Sequence, residues 1–346
     1  MMTPKFVSYL LFGLMLGLVG WLDLATPLIT VLFSYFALEK LTFIRSKWLA
    51  VVLFIILVLG IFYGFVHFIR QASNALPDIA ATSIPKIIDY AKHHDIKLPF
   101  EDLDLRDSDS LKALVINTVK TQFRYLGNFA KVATKEFVFL VIGFVVTISL
   151  FINPKLDLDR GKHLFENNLY SALCDEVTAR FRSFYRSFAT VMGAQITIST
   201  INTALTAIFI VAVALPYSAV VIGVTFLCGL LPILGNLISN SVIVGIGFTK
   251  SPQLAIAALT FLVVLHKLEY FLNSKIIGDR IRNPVWLTLL GLILGERLMG
   301  IPGMILAPVV LNYIKVEAAQ INLSKKEKEK EKEKEKEPLF ALRDDS

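Results

Sequence analysis

Within an apolar stretch near residue 270, His266 and Glu269 lie three residues apart and Asn273 four further on, so all three share one helical face. Lys267 sits about 200° round from Glu269 at helical pitch. A carboxylate beside an imidazole at bilayer depth is expensive without a role, and the pair would suit a proton or a cation. The competing reading is that the group stands within two turns of a helix end and reaches water by snorkelling. A second charged pair, Glu296 and Arg297, interrupts another apolar stretch, either as part of a gate or as a hairpin tip among headgroups. Between Val191 and Val213 the chain is rich in amide and hydroxyl groups: Gln195, Thr197, Ser199, Thr200, Asn202, Thr203 and Thr206. These could line a polar pathway or bond helix to helix at about 1 kcal/mol each.

Such groups need elements that hold them in lipid, and the composition points to an integral membrane protein. Of 346 residues, 55% are hydrophobic and 18% charged, with a mean hydropathy of +0.64. Soluble domains average roughly 45–50% apolar and 25% charged. Repeated runs near 20 apolar residues predict helical spans, and the ten-residue alternation of an outer-membrane barrel is absent from the sequence. Two cysteines, Cys174 and Cys228, have neither a disulfide framework nor metal-ligand spacing, and no metal or cofactor is expected. The net charge of +7 includes a tail, Lys325–Glu337, whose seven lysines oppose six glutamates. With no basic cluster interleaved with aromatics, nucleic acid is not an expected partner; the excess reads as charge facing anionic lipid on the cytoplasmic side.

Along the chain, residues 1–69 predict three transmembrane helices, with Asp23 capping the second and Trp21, Trp48 and Trp286 as interfacial anchors. Residues 70–135 form an extracytoplasmic polar and amphipathic insertion whose helix begins at Asp109 or Ser110. Residues 136–152 give a fourth span. In 153–190 Phe165, Leu169, Leu173, Val177, Phe181, Phe184 and Phe188 recur every three or four positions, with Arg180, Arg182 and Arg186 flanking. That pattern predicts a cytoplasmic interfacial helix with its arginines toward anionic lipid, or one packed on the protein's own helices. Residues 191–316 form the expected transport core, and 317–346 a charged cytoplasmic tail.

The core holds two apolar stretches broken by glycine and proline. Residues 217–248 are interrupted at Gly229, Pro232, Gly235 and Asn236, and residues 284–314 at Gly295, Gly300, Pro302 and Gly303. An unbroken helix over 217–248 would be about 48 Å long against a hydrocarbon core of ~30 Å. Pro232, Gly235, Pro302 and Gly303 should shape breaks whose bare amides and carbonyls contact a ligand in a sheltered or wet crevice. Full spans would put Lys275, Arg280 and Arg282 in a short outside loop, against the positive-inside rule. Re-entrant hairpins keep that strip and both termini cytoplasmic. The fold expected is an all-α integral membrane protein, a multi-spanning helical bundle with two broken, re-entrant or kinked segments in its C-terminal half.

The segment from Gly229 through Pro232 and Gly235 to Ile238 resembles the break motif of the autoinducer-2 exporter (AI-2E) family. The blocks Glu269–Asn273, Asn283–Gly295 and Met299–Pro308 are similar to its C-terminal signature. Asn236, Ser274 and Glu296–Arg297 depart from that pattern. The resemblance implies a multi-pass transporter of the inner membrane that exports a small polar solute such as autoinducer-2 or exchanges a cation for protons, with H+ or Na+ as possible coupling ions. It also implies a homo-oligomer in contact with membrane lipids. No zinc-protease, nucleophile-elbow or phosphate-loop motif occurs, so an enzyme is not expected. A non-transporting lipid platform and the permease subunit of a larger complex are the competing readings.

Overall fold

A computed structural model describes residues 3–43, 46–93, 126–153, 169–231, 234–277 and 284–320. Those residues are helices and short turns, with no strand among them. Among the described residues nine α-helices follow one another: α1 Pro4–Trp21, α2 Ala25–Lys40, α3 Lys47–His93, α4 Leu126–Ile152, α5 Leu169–Ala212, α6 Ser218–Gly229, α7 Leu234–Lys250, α8 Pro252–Ile277 and α9 Val285–Ala319. Six segments within them are long and apolar enough to cross a membrane: 4–21, 47–72, 135–152, 169–212, 252–269 and 286–319. The predicted helix near Asp109, the Lys/Glu tail and Pro232 lie outside the described residues.

Two helices run further than the hydropathy pattern indicates. α3 continues through Pro77 and Pro85 to His93, and its 47 residues measure about 70 Å. α5 joins the amphipathic stretch before residue 190 and the apolar one after it into a single helix of 44 residues, about 66 Å. Asp23 is not the cap of α2. It occupies a left-handed turn (φ 54°), a conformation aspartate tolerates, while Leu24 holds the N-cap position without a side-chain bond. Its carboxylate lies 3.7 Å from Lys135 Nζ.

Two cores form, and α5 contributes to both. Toward its N-terminal half, Phe184, Phe188 and Met192 pack with Phe12 of α1, Leu32 of α2 and Val309 of α9. Toward its C-terminal end, Ile210 packs with Ala72, Ala75 and Ile79 of α3, Val221 of α6, Ile243 and Ile246 of α7 and Leu262 of α8. The polar residues Gln195–Asn202 fall between the two. A smaller core joins α2 and α3 to α4 through Leu38, Val51, Phe54 and Phe151. Elsewhere the helices show apolar side chains outward, as lipid-facing surfaces do: Ile56, Leu59, Phe62, Val145 and Ile293 are all exposed. Trp21, Trp48 and Trp286 are exposed near helix ends.

α6 and α7 are a helical hairpin, joined through 230–233, in which Leu231 N donates to Cys228 O at 2.8 Å. α9 doubles back as well. Gly300 has φ 61° and ψ −146°, a region essentially reserved for glycine. Leu311 and Ala307 accordingly lie against Gly291, and the backbones of Gly295 and Gly303 touch so closely that a Cβ on either would collide with the other's carbonyl oxygen. An outgoing arm, 285–299, thus packs on a return arm, 301–319. The sharpest backbone departure is at Gly300 rather than Pro302, which sits in the first turn of the return arm, where its missing N–H leaves no helical bond unmade. Gly303→Ala is expected to force the arms apart and to destabilise the protein by about 1–3 kcal/mol. Thermal unfolding in detergent checks this; an unchanged midpoint would contradict the arm contact.

The return arm lies antiparallel to α1. Glu317 meets Tyr9 near one end, and a Cβ on Gly20 would stand 3.1 Å from Met299 Cε at the other. The amphipathic face of α5 is covered by protein here: Phe188 is fully buried, and Arg180 is buried with it. Arg182 and Arg186, on the opposite side, are exposed. The face carrying Arg180 and Phe188 is therefore packed on the protein's own helices.

Candidate functional site

The site is built on the polar stretch of α5. A polar side chain at a helix contact finds its hydrogen-bond acceptors inside the protein, and three residues one turn apart do so as donors. Gln195 Nε2 donates to Gly229 O at 2.6 Å, and Ser199 Oγ donates to Phe226 O at 2.8 Å. Both acceptors are last-turn carbonyls of α6, which lack helical partners because the chain turns at 230. A turn further on, Asn202 Nδ2 donates to Glu269 Oε2 of α8 at 3.2 Å. α5 thus holds the hairpin turn with one part of its polar face and the half-buried Glu269 carboxylate with the next.

Asn202 is 6% exposed and Thr206, on the same face four residues on, is fully buried. Among the described residues Asn202 Oδ1, Thr203 Oγ1 and Thr206 Oγ1 have no hydrogen-bond partner. Of these, Asn202 Oδ1 belongs to the side chain that contacts the Glu269 carboxylate, and a buried open oxygen there suits a water molecule, a proton-bearing group or a hard cation. No cluster of three metal-type ligands occurs among the described residues.

The other residues selected from the sequence are spread more widely. His266 is exposed while Glu269 is half-buried, so the two share a helix but not an environment. Gly235 is buried at the start of α7, against the carbonyl of Cys228. The side chains of Asn236 and Asn273, like the whole of Pro232, lie outside the described residues. Glu296 and Arg297 are exposed on the outgoing arm of α9, one turn before Gly300. Gly303 and Pro302 belong to the return arm, which packs on α1, α2 and the N-terminal half of α5 and not at the Asn202–Glu269 contact.

One cluster was not singled out in the sequence. Arg180 of α5, Glu317 of α9 and Tyr9 of α1 converge at the end of the bundle away from α6. Arg180 Nη1 pairs with Glu317 Oε2 and donates to Tyr9 Oη at 2.6 Å; Tyr9 Oη donates to the same carboxylate oxygen at 2.7 Å. Arg180 Nη2 reaches Glu176 at 3.3 Å, and the guanidinium lies 4.6 Å over the Tyr9 ring. Four-residue steps supply the signal: Arg180, Phe184, Phe188 and Met192 form one stripe, which puts the arginine on the buried face.

Residues 6–322 match the family model described as AI-2E family transporter. The chain belongs to the AI-2E transporter family. Over 235 residues it is 23% identical to the protein named "Putative transport protein YdbI" of Bacillus subtilis (strain 168), an alignment spanning 66% of this chain and 66% of that one. This AI-2E chain is a multi-pass membrane protein, and the matched region takes in all the helices described above but the first two residues of α1.

Proposed function

We propose that this protein is a secondary carrier that moves a small polar solute across the inner membrane through the polar joint of α5. The observation that carries the reading is the Asn202–Glu269 contact, which joins residues 67 apart in sequence beside unpartnered buried oxygens. It lies next to a hairpin turn whose backbone is already held by side chains of the same helix. Freed main-chain groups in a lipid-covered protein belong in a sheltered or hydrated crevice, which a solute can share.

Distances along the helices support two hairpins entering from opposite faces. Gln195 lies about 22 Å along α5 from Arg180, and Ile301 about 24 Å along the return arm from Glu317. The two turns therefore come at similar depths, each far from the end where its hairpin begins. In this arrangement both termini and the strip 273–283 are cytoplasmic. A cysteine placed at Ser274 is expected to resist an impermeant thiol reagent added outside and to react once the membrane is opened; labelling from outside would overturn the topology.

Motion of the α6–α7 hairpin against α5 and α8 would open the joint alternately to the two sides, with Glu269 carrying a proton or a cation as the coupling group. The solute class is small and polar, autoinducer-2 or a cation exchanged for protons being the two cases the family name and the carboxylate support. Proteoliposomes holding this polypeptide alone, loaded with each solute under imposed proton or sodium gradients, test the reading. Flux that follows one gradient supports it, and no flux across the panel overturns it in favour of a non-transporting membrane platform.

A further inference from the structure

The two main cores of this protein share no residue and meet through the polar stretch of α5. What holds each of them together differs. The core around α6, α7 and α8 is closed by buried aliphatic side chains, with Phe68 and the stacked Phe209–Phe261 pair against them. The core around α1, α2 and the return arm of α9 carries a buried charge cluster: Arg180 is 7% exposed and Glu317 is 5% exposed. One guanidinium there spans three partners on three helices, counting Glu176 on its own, and lies over the ring of one of them. Around it Phe12 packs against Phe181, Phe184 and Tyr313 at ring separations of 5.2–5.5 Å. A buried pair fixes geometry well, because separating its members strands each charge in an apolar setting.

We propose that Arg180, Glu317 and Tyr9 are a staple that makes α1, the N-terminal half of α5 and the return arm of α9 one stationary body during transport. The turn at Gly300 is then a fixed part of the scaffold, and conformational change is confined to the α6–α7 hairpin on the far side of the α5 joint. The assignment rests on the carrier reading for the word transport, and on the geometry alone for the rigidity. The three residues act by position and touch no solute.

Two measurements on the full chain in lipid nanodiscs or proteoliposomes test it. In the first, amide hydrogen exchange is compared between the wild type and Glu317→Gln, with Arg180→Lys as a second variant should the first fail to fold. Exchange is expected to rise tenfold or more in 4–21 and 301–319 together while 234–250 stays within about twofold. No change in the return arm, or an equal rise throughout, would overturn the staple. This readout needs no solute, so it stands if the carrier reading fails.

In the second, Gly20→Cys and Met299→Cys are combined. A Cβ on Gly20 stands 3.5 Å from Met299 Cγ, within reach of a disulfide. Oxidation is expected to leave flux within about twofold of the reduced protein. Inhibition by the crosslink, reversed by reductant, would show that the α9 turn moves against α1 and would overturn the proposal. Absent flux in the reduced wild type counts against the carrier reading, and the exchange result alone then decides the staple.

Discussion

Glu269→Gln is expected to insert and fold like the wild type and to lose flux by about tenfold or more. Glutamine keeps an acceptor oxygen for Asn202 Nδ2, so the contact between α5 and α8 survives in shape. What it loses is the negative charge and the capacity to take up a proton. A hydrogen bond to a charged group is worth about 1.5–3 kcal/mol, and the loss of one such interaction with a bound cation or proton spans a factor of ten or more. The residual flux should also no longer follow an imposed proton or sodium gradient, because an amide carries neither the charge nor the acidic proton. Initial rates in proteoliposomes with and without each gradient, beside an elution profile showing intact protein, make the comparison. Wild-type rates with wild-type gradient dependence would remove Glu269 from the mechanism.

Arg180→Ala acts on the other core and on stability. It leaves the Glu317 carboxylate buried with Tyr9 as its remaining partner from the cluster, and breaking a buried pair from one side costs about 3–5 kcal/mol. Arg180→Lys keeps the charge but cannot reach Tyr9, Glu317 and Glu176 from one planar fork, so a smaller loss of about 1.5–3 kcal/mol is expected. Thermal or denaturant unfolding in a fixed detergent ranks the three proteins. Equal stability of the wild type and Arg180→Ala would mean that the pair is not formed in the folded protein.

The membrane class and the helical content were legible because hydropathy alone fixes which runs of residues leave water. Helix lengths were less so. Arg70 and the prolines after it read as the start of a polar loop, yet α3 continues to His93 because Ala72, Ala75 and Ile79 find an apolar surface on α7 and α8. Hydropathy sees the residue and not the neighbour that covers it. Asp23 failed as a cap for a related reason: a short turn in a left-handed conformation places its carboxylate by Lys135, 112 positions away. For the site, single residues such as Gln195, Asn202 and Glu269 stood out as polar groups in apolar runs, whereas their pairing depends on a fold that brings positions 202 and 269 together. Arg180 was hidden for the opposite reason. Three arginines in seven residues look like a solvated or lipid-facing cluster, and only the four-residue step to Phe184 separates the buried one from the two exposed ones.

The shortness of α6 bears on how the protein is made. At 12 residues it reaches about 18 Å, too little for a nascent chain to be released sideways into lipid as an independent span. Among the described residues its last carbonyls take donors from α5, and its apolar flank is covered by α3, α5 and α7. That cover comes from helices that precede and follow α6 in the chain, so its burial depends on assembly of the bundle and not on lipid alone.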